Sequence, residues 1–240
     1  MNLIVIPARY QSTRFPGKPL AKIAGKTMIE RVYSRVKNCR FADKIVVATE
    51  DQRIVDCVTG FGGESIMTSD THETGTSRLT EVLRQFPQAR NIINVQGDEP
   101  LVSSSAVDKL IQAMLDDNKV RMATLGYVLD SDIDNPNTVK IVLDQNSNAI
   151  YFSRSKIPFV RNPNDNYQFI GHVGLYGYSK DTLEQYNNLK ISQIEQIESL
   201  EQLRFLFNGI SIKVIIDDYR SYAVDIPSDV ERFQLLTAFA

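Results

Sequence analysis

The chain has 240 residues, of which 42% are hydrophobic and 23% charged, so it is too apolar for a disordered protein and long enough for one large domain or two small ones. Its 27 basic and 29 acidic residues give a net charge of -2, which disfavours binding of nucleic acid through bulk positive charge. Two cysteines without paired spacing argue against a disulfide scaffold or a zinc site. The chain does not start like a signal peptide, and no apolar run reaches the ~18 residues of a membrane span. These features predict a cytoplasmic protein without a membrane partner.

Short β-branched runs alternate with helical patterns over the first half of the chain. Strands are predicted at 3–6, 44–48, 66–67 and 92–95, and helices at 28–36, 54–61, 79–86 and 107–115. Because the strand runs are apolar throughout rather than alternating, both of their faces are expected to be buried. Strands of this kind alternating with helices predict an α/β fold, a doubly wound and mostly parallel sheet flanked by helices.

After Met122 the pattern changes to strands separated by turns rich in Asn, Asp and Pro. These strands are predicted at 123–129, 139–143, 150–152 and 173–178. We interpret 123–178 as a smaller, mainly antiparallel sheet inserted into a single domain of residues 1–240. The remaining elements are predicted as helices at 180–186 and 195–207, a strand at 212–216, and a closing helix at 229–239 capped by Ser228.

The loop after the first strand, residues 7–20, brings together three cations, Arg9, Arg14 and Lys18. Ligands of open parallel sheets bind beyond the carboxyl ends of the strands, which is where this loop lies. Arginine supplies forked donors and lysine a mobile charge, so the loop is typical of a polyphosphate site; a solvated surface loop is the alternative. Neither a complete Walker A motif nor a Gly-x-Gly-x-x-Gly follows the strand, which disfavours a P-loop and a dinucleotide fold.

Two aspartates are candidate metal ligands. Asp98 follows the fourth predicted strand and should face the same crevice as the cationic loop. Mg²⁺ takes hard oxygen ligands and is often held by one or two carboxylates plus substrate phosphates. The alternative role for Asp98 is a turn residue before the next helix. Asp225 is a second candidate, with an ordinary turn as its alternative, and nothing in the local sequence links it to Asp98.

Other polar segments lie later in the chain. The loop 68–78 enters a helix and offers small hydroxyls that suit an anion or the edge of a base, or simply an N-cap. His172 and Tyr176 share one face of a strand. Four side chains crowd the helix predicted at 195–207, where we expect mostly a solvated face: Glu195, Glu198, Glu201 and Gln202.

Several motifs in this order resemble those of the 3-deoxy-manno-octulosonate (KDO) cytidylyltransferases, enzymes of Gram-negative lipopolysaccharide synthesis, over essentially the whole chain. The shared segments are Ile6-Pro7-Ala8-Arg9-Tyr10, Ser12 to Leu20, Phe61-Gly62-Gly63-Glu64, Met67-Thr68-Ser69, Asn94 to Pro100, Tyr151 to Pro158, His172 to Tyr176, and Leu200-Glu201-Gln202-Leu203-Arg204. The first loop alone indicates a nucleotidyltransferase. The Tyr-Phe-Ser-Arg-Ser and Leu-Glu-Gln-Leu-Arg stretches narrow the resemblance to this family.

The resemblance implies a Rossmann-like nucleotidyltransferase fold and a homodimer that uses the inserted sheet. It also implies that Mg²⁺ is held by Asp98 and Asp225. The residues implied for CTP are Ala8, Arg9, Arg14, Lys18, Ser69, Gly75 and Arg78, and those for the sugar acid are Gln96, Arg154, His172, Tyr176, Glu201 and Gln202. Ser77 stands where the family usually has an acidic residue, which leaves that position's role open.

The expected reaction is attack of the KDO anomeric hydroxyl on the α-phosphorus of CTP, with pyrophosphate leaving in line. Asp98 with its metal, Lys18 and Arg14 are expected to stabilise the transferring and leaving phosphates. Alternatives are a cytidylyltransferase for 8-amino-KDO or sialic acid and a non-catalytic nucleotide sensor. A glycosyltransferase would usually carry an Asp-x-Asp, of which Gln96-Gly97-Asp98 supplies only the last member.

Overall fold

The computed structural model describes residues 1–11, 15–162 and 164–238, with side chains as far as Phe233. Its strands are β1 (Asn2–Pro7), β2 (Lys22–Ile23), β3 (Lys26–Thr27), β4 (Lys44–Thr49), β5 (Ser65–Met67), β6 (Asn91–Asn94), β7 (Met122–Val128), β8 (Lys140–Leu143), β9 (Ala149–Ser153), β10 (Ile170–Ser179) and β11 (Lys213–Ile216). Its helices are α1 (Met28–Val36), α2 (Gln52–Gly60), α3 (Gly75–Gln85), α4 (Ser104–Asp116), α5 (Lys180–Glu184), α6 (Gln193–Glu198), α7 (Gln202–Phe207) and α8 (Pro227–Ala238).

A mixed sheet in the order β11-β7-β10-β6-β1-β4-β5 forms the centre of the molecule. The strand β1 pairs in parallel with β4 on one side and β6 on the other, and β4 pairs in parallel with β5. Only β10 runs against the others in this path, because it is antiparallel to both β6 and β7 while β11 is parallel to β7. The predicted α/β class with a mostly parallel sheet is confirmed.

Helices cover both faces of the sheet, as continuous apolar strands require. Along β1, Leu3 and Val5 pack into the core that contains α3, α5 and α7. Their neighbours Ile4 and Ile6 pack into the opposite core, which contains α1, α2 and α4. Alternate side chains of one strand thus supply two hydrophobic layers, one on each face of the sheet. The carboxyl ends of the parallel strands β1 and β6 lie side by side at one edge of this sheet.

The antiparallel strands predicted within 123–178 are present, and they continue the central sheet. The strands β8 and β9 form an antiparallel pair, and β8 pairs with the start of β10. The longer part of β10 pairs with β7 and β6. A separate two-stranded sheet, β2 with β3, lies after the first loop.

Two helix predictions differ from the structure. The single helix predicted at 195–207 is wrong: α6 and α7 are separate because Ser199 adopts a left-handed conformation at φ 51°. The closing helix begins at Pro227, so Ser228 lies inside its first turn rather than at its cap. Phe239, the predicted end of that helix, lies outside the described residues. In the part of the chain that the structure describes, no helix has the length and apolar character needed to span a membrane.

Candidate active site

Two loops meet beyond the carboxyl ends of the neighbouring strands β1 and β6. A side-chain carbon on Gly97 would lie 2.7 Å from the backbone oxygen of Pro7, so only glycine permits this approach. Gly75, at the start of α3, packs against the same proline, where an added carbon would lie 3.3 Å from Pro7 Cγ. The three segments therefore converge on one crevice, as the sheet topology predicts.

The first cavity in this crevice has a volume of about 250 Å³. It is lined by Pro7, Ala8, Arg9, Gln11, Lys18, Pro19, Gly75, Gln96, Gly97 and Asp98. Arg9 Nη2 is buried without a hydrogen-bond partner among the described residues. A buried, unpartnered guanidinium nitrogen is unfavourable unless an acceptor reaches it, which suits a phosphate oxygen.

The loop between Arg9 and Lys18 is held closed at its base by hydrogen bonds. The Gly17 amide donates to the Tyr10 carbonyl at 2.9 Å, and Gly17 has a φ of 71° that an L-residue would adopt only with strain. The Tyr10 amide donates to Glu50 Oε1 at 2.8 Å. The loop thus returns to its starting point immediately before Lys18.

Lys18 brings the two candidate metal ligands together. Its Nζ lies 2.7 Å from Asp98 Oδ2 and 3.6 Å from Asp225 Oδ1, and it donates to the Val224 carbonyl at 2.9 Å. The Val224 amide in turn donates to the Asp98 carbonyl at 2.9 Å. Carboxylates that are far apart in sequence therefore share one ammonium group.

The donor set of Asp98 and Asp225 fits Mg²⁺. Within the described ranges no three His, Cys, Asp or Glu side chains form a metal-binding group, so the protein by itself offers two carboxylates rather than a closed cage. Two hard oxygen donors suit Mg²⁺, which usually keeps several waters and takes its other ligands from substrate phosphates.

A second cavity, of about 220 Å³, adjoins the first and shares Gly75 and Gln96 with it. Its other lining residues are Thr76, Asn94, Tyr176, Tyr178, Glu201, Gln202 and Phe205. Two buried atoms in this lining, Asn94 Oδ1 and Gln202 Nε2, have no hydrogen-bond partner among the described residues. Burial raises the pKa of Glu201, against hydrogen bonds with Thr76 and Thr74. Such a lining suits a ligand rich in hydroxyl groups.

Comparison with known proteins agrees with this geometry. The sequence model of the cytidylyltransferase family matches residues 3–213. A protein of Fusobacterium nucleatum subsp. nucleatum named 3-deoxy-manno-octulosonate cytidylyltransferase is 46% identical over 230 residues, covering 95% of this chain and 93% of the relative. A protein of Myxococcus xanthus with the same name is 47% identical, covering 98% of this chain and 96% of the relative.

The chain belongs to the 3-deoxy-manno-octulosonate cytidylyltransferase family. A solved structure of CMP:2-keto-3-deoxy-manno-octonic acid synthetase complexed with CTP superposes with a TM-score of 0.95 at 42% identity, covering 99% of this chain and 98% of that one. The resemblance read from the sequence motifs is confirmed, and so is the fold that it implied.

Not every residue that the family resemblance implies for CTP lines the cavities. Arg78 is buried, pairs with Glu50 Oε2 at 3.0 Å and donates to Thr68 Oγ1, and burial lowers its pKa. Ser69 donates its amide to Glu81 Oε2 at 3.0 Å, and Glu81 also contacts His72. Arg78 does not line either cavity, but its partner Glu50 accepts the Tyr10 amide in the loop beside the first one. Arg14 lies outside the described residues, and its predicted role stays a prediction.

Ser77, at the position where the family usually has an acidic residue, caps the start of helix α3. Thr74 Oγ1 accepts from the Ser77 amide at 3.1 Å, and Ser77 Oγ accepts from the Thr74 amide at 3.3 Å. This reciprocal capping box satisfies two donors at the start of α3. A hydroxyl at 77 is thus sufficient to fix the helix start beside Gly75.

Two residues implied for the sugar acid, Arg154 and His172, are absent from the lining of both cavities. The Arg154 guanidinium donates from Nε to the Glu198 carbonyl at 2.7 Å and from Nη1 to the Pro136 carbonyl at 3.1 Å. The half-buried His172 ring contacts the rings of Phe152 and Tyr176, its Nε2 lies 3.1 Å from Thr124 Oγ1, and burial lowers its pKa to about 3. Their implied roles in substrate binding stay predictions.

The prediction that Glu195, Glu198, Glu201 and Gln202 form a solvated helix face is wrong. The break at Ser199 turns these side chains inward: Glu195 pairs with Arg204 at 2.6 Å, and Glu198 accepts from Ser153 Oγ at 2.6 Å. Glu201 and Gln202 line the second cavity. The same helical spacing of polar residues occurs on a solvated helix face and on two short helices that face inward. Spacing alone therefore could not distinguish these two arrangements.

Sequence reasoning missed Asn94, Glu50 and Glu99. Asn94 is the polar residue of an otherwise apolar strand, a signal that was available in the sequence. Glu50 follows β4 at the edge of the sheet that carries the crevice, which was a weaker signal. Glu99 is 3% exposed, and burial raises its pKa to about 7 against hydrogen bonds from Ser221 and Tyr219. Only the folded chain reveals those partners.

Proposed function

We propose that the chain transfers CMP from CTP to the anomeric hydroxyl of KDO, giving CMP-KDO and pyrophosphate. The observation that carries this proposal is the pair of adjoining cavities that share Gly75 and Gln96. One holds cations and a carboxylate for a metal–triphosphate, and the other holds unpartnered polar atoms for a polyhydroxyl acid. The shared wall is where a sugar oxygen and the α-phosphorus would meet.

The first cavity would bind the triphosphate. Arg9 offers a buried donor without a protein partner, and Lys18 offers a partly buried ammonium. The new bond joins the anomeric oxygen to the α-phosphorus, the bond to the pyrophosphate oxygen breaks, and the hydroxyl proton is released. Negative charge grows on the leaving pyrophosphate, so fixed cations beside it stabilise the transition state.

Asp98 and Asp225 would hold Mg²⁺. When bound, the ion would neutralise phosphate charge and polarise phosphate oxygens. The contribution of the chain itself is to bring two carboxylates to one point through Lys18 and Val224. In the free enzyme the Lys18 ammonium offsets the repulsion between these carboxylates.

The second cavity would bind the sugar acid. Gln202 Nε2 can donate to a hydroxyl or carboxylate, and Asn94 Oδ1 can accept from a hydroxyl. Glu201 and Tyr176 add polar groups beside the ring wall formed by Tyr178 and Phe205. A site that hydrogen-bonds several hydroxyls discriminates strongly against acceptors that lack them.

Pyrophosphate release in the presence of CTP and Mg²⁺ tests the proposal. KDO, its 8-amino analogue and sialic acid are supplied separately, with an acceptor-free reaction as the control. We expect the highest kcat/KM with KDO and formation of CMP-KDO. Pyrophosphate release with none of the three acceptors, together with measurable CTP binding, would instead indicate a nucleotide sensor. A higher kcat/KM with either other acid would reassign the substrate.

We also propose that the protein works as a homodimer in the cytoplasm. The pair β8 and β9 extends from the main sheet, and Ile150 on β9 and Phe159 beyond it are 59% and 87% exposed. Large apolar side chains exposed on β9 and in the segment after it favour a protein contact. Light scattering of the purified chain would give twice the monomer mass if this is right.

A further inference from the structure

An irregular segment carries one of the two candidate metal ligands. Residues 217–226 connect β11 to α8 without forming a helix or strand, and Asp225 lies near their end. A carboxylate on such a segment is not positioned by the regular hydrogen bonding of a helix or sheet. The Asp225 amide donates to Asp229 Oδ2 of α8 at 2.8 Å, and the rest of its position depends on what fastens the segment before it.

The Glu99 carboxylate holds the middle of this segment. Its Oε2 accepts from the Tyr219 hydroxyl at 2.9 Å, and its Oε1 accepts from the Ser221 hydroxyl at 2.7 Å. Both carboxylate oxygens are thus committed to residues 219–221. Because Glu99 is 3% exposed, these hydrogen bonds are shielded from competing water.

The neighbours of Glu99 fasten the same segment closer to Asp225. The adjacent residue Asp98 accepts the Val224 amide on its backbone carbonyl, and Lys18 donates to the Val224 carbonyl. Asp98 and Glu99 therefore hold the segment at two points, 224 and 219–221, while the Asp98 side chain faces the site. Of these two consecutive residues, Asp98 supplies a carboxylate to the site, and Glu99 uses its carboxylate to hold the segment that carries Asp225.

We propose that Glu99 is a positioning residue that holds Asp225 against Asp98 for binding of the divalent cation. The proposal rests on the proposed function, since it takes Asp98 and Asp225 as the ligands of that cation. Partners that orient metal ligands, without touching the metal, typically contribute about 10–100-fold to metal affinity. The free carboxylate of Glu99 is not needed for this role; its two hydrogen bonds are.

Binding of Mn²⁺ in the presence of α,β-methylene-CTP tests the proposal without turnover. The electron paramagnetic resonance signal of free Mn²⁺ reports the bound fraction. The test variants are Glu99→Ala and the double variant Tyr219→Phe/Ser221→Ala, which removes both donors. Glu99→Gln is the conservative variant, because its amide still hydrogen-bonds both hydroxyls. The matched control is Asp108→Ala, which removes another buried carboxylate that accepts two amides, those of Arg40 and Phe41.

We expect about 10-fold weaker Mn²⁺ binding for Glu99→Ala and for the double variant, near-normal binding for Glu99→Gln, and normal binding for Asp108→Ala. The double variant keeps the test decisive if Glu99→Ala does not fold. Wild-type affinity in the double variant would overturn the proposal, provided that Asp98→Asn and Asp225→Asn lose binding. If Asp98→Asn and Asp225→Asn bind Mn²⁺ as the wild type does, the metal assignment in the proposed function fails instead.

Discussion

At the scale of single residues, Lys18 links the two candidate metal ligands. Its ammonium contacts Asp98, Asp225 and the Val224 carbonyl, and only 14% of its side chain is exposed. In the free enzyme these contacts offset the repulsion between two carboxylates. In the reaction the same cation would lie beside the leaving pyrophosphate, where charge develops.

Lys18→Ala should therefore reduce kcat/KM by about 10²–10³, the loss typical of one transition-state contact. The melting temperature should fall by only a few degrees, because the site stays partly hydrated. Steady-state pyrophosphate release and thermal unfolding measure the two effects. Lys26→Ala is the matched control, since Lys26 lies on β3 with 54% of its side chain exposed and pairs with Glu30. A large loss of stability in Lys18→Ala would favour a structural role for the loop.

Arg78, by contrast, should affect stability more than turnover, because it is 1% exposed and pairs with Glu50, whose side chain is 12% exposed. Arg78→Ala should lower the free energy of unfolding by about 3–5 kcal/mol, since it leaves a carboxylate in the interior without its counter-charge. Urea unfolding measures the change. The control Arg40→Ala removes an arginine that is 79% exposed in its pair with Asp108. Asp108 keeps its hydrogen bonds from the amides of residue 40 and Phe41, so stability should change by less than about 1 kcal/mol. Equal effects in the two variants would contradict the buried pair.

At the scale of elements, the break between α6 and α7 shapes the second cavity. Ser199 ends α6 in the left-handed region, and Arg154 donates to the carbonyls of Glu198 and Ser199. This contact fastens the end of β9 to the break. Glu201 and Gln202 then start α7 facing the cavity rather than solvent.

Ser199→Gly should stabilise the protein by about 1 kcal/mol, because glycine adopts a positive φ without the steric penalty of a side chain. Chemical denaturation measures the difference. Ser192→Gly is a matched control with the opposite sign: Ser192 has a φ of -100° and its side chain caps α6 by accepting the Glu195 amide. Destabilisation in Ser199→Gly would mean that the break is not set by this residue.

The elements were predicted well from the sequence wherever the apolar pattern decides them. The run Leu3-Ile4-Val5-Ile6 is buried on both faces, and such a run has one dominant structural solution in a doubly wound sheet. The break at Ser199 was not predictable, because a left-handed serine is held by distant groups such as Arg154. The approach of Asp225 to Asp98 was predicted only through the family resemblance, since an irregular segment leaves no periodic signal.

At the scale of the whole molecule, the sheet brings groups from distant parts of the chain to one edge. The adjacent strands β1 and β6 end beside each other, and the segment after β11 closes over the same edge through Glu99 and Val224. The opposite-running β10 places Tyr176 beside Asn94 of β6. The two adjoining cavities are therefore held in place by one continuous sheet.

Burial of His172 in the folded protein makes the free energy of unfolding depend on pH. Its folded pKa of about 3 lies below the usual 6.5, so between these values the unfolded chain binds a proton that the native protein does not. Stability should fall as pH decreases from 6.5 towards 3, by up to about 1.4 kcal/mol per pH unit from this group. Urea unfolding at pH 6.5 and 5 should show a smaller pH effect in His172→Phe. An unchanged effect would indicate that His172 is solvated.

The most direct test of the account is pyrophosphate release by Asp98→Asn with CTP, KDO and Mg²⁺. This substitution keeps the size of the side chain and removes the charge that faces both Lys18 and the proposed cation. We predict that turnover is abolished while thermal unfolding and circular dichroism match the wild type. Pyrophosphate release near the wild-type rate would contradict the account.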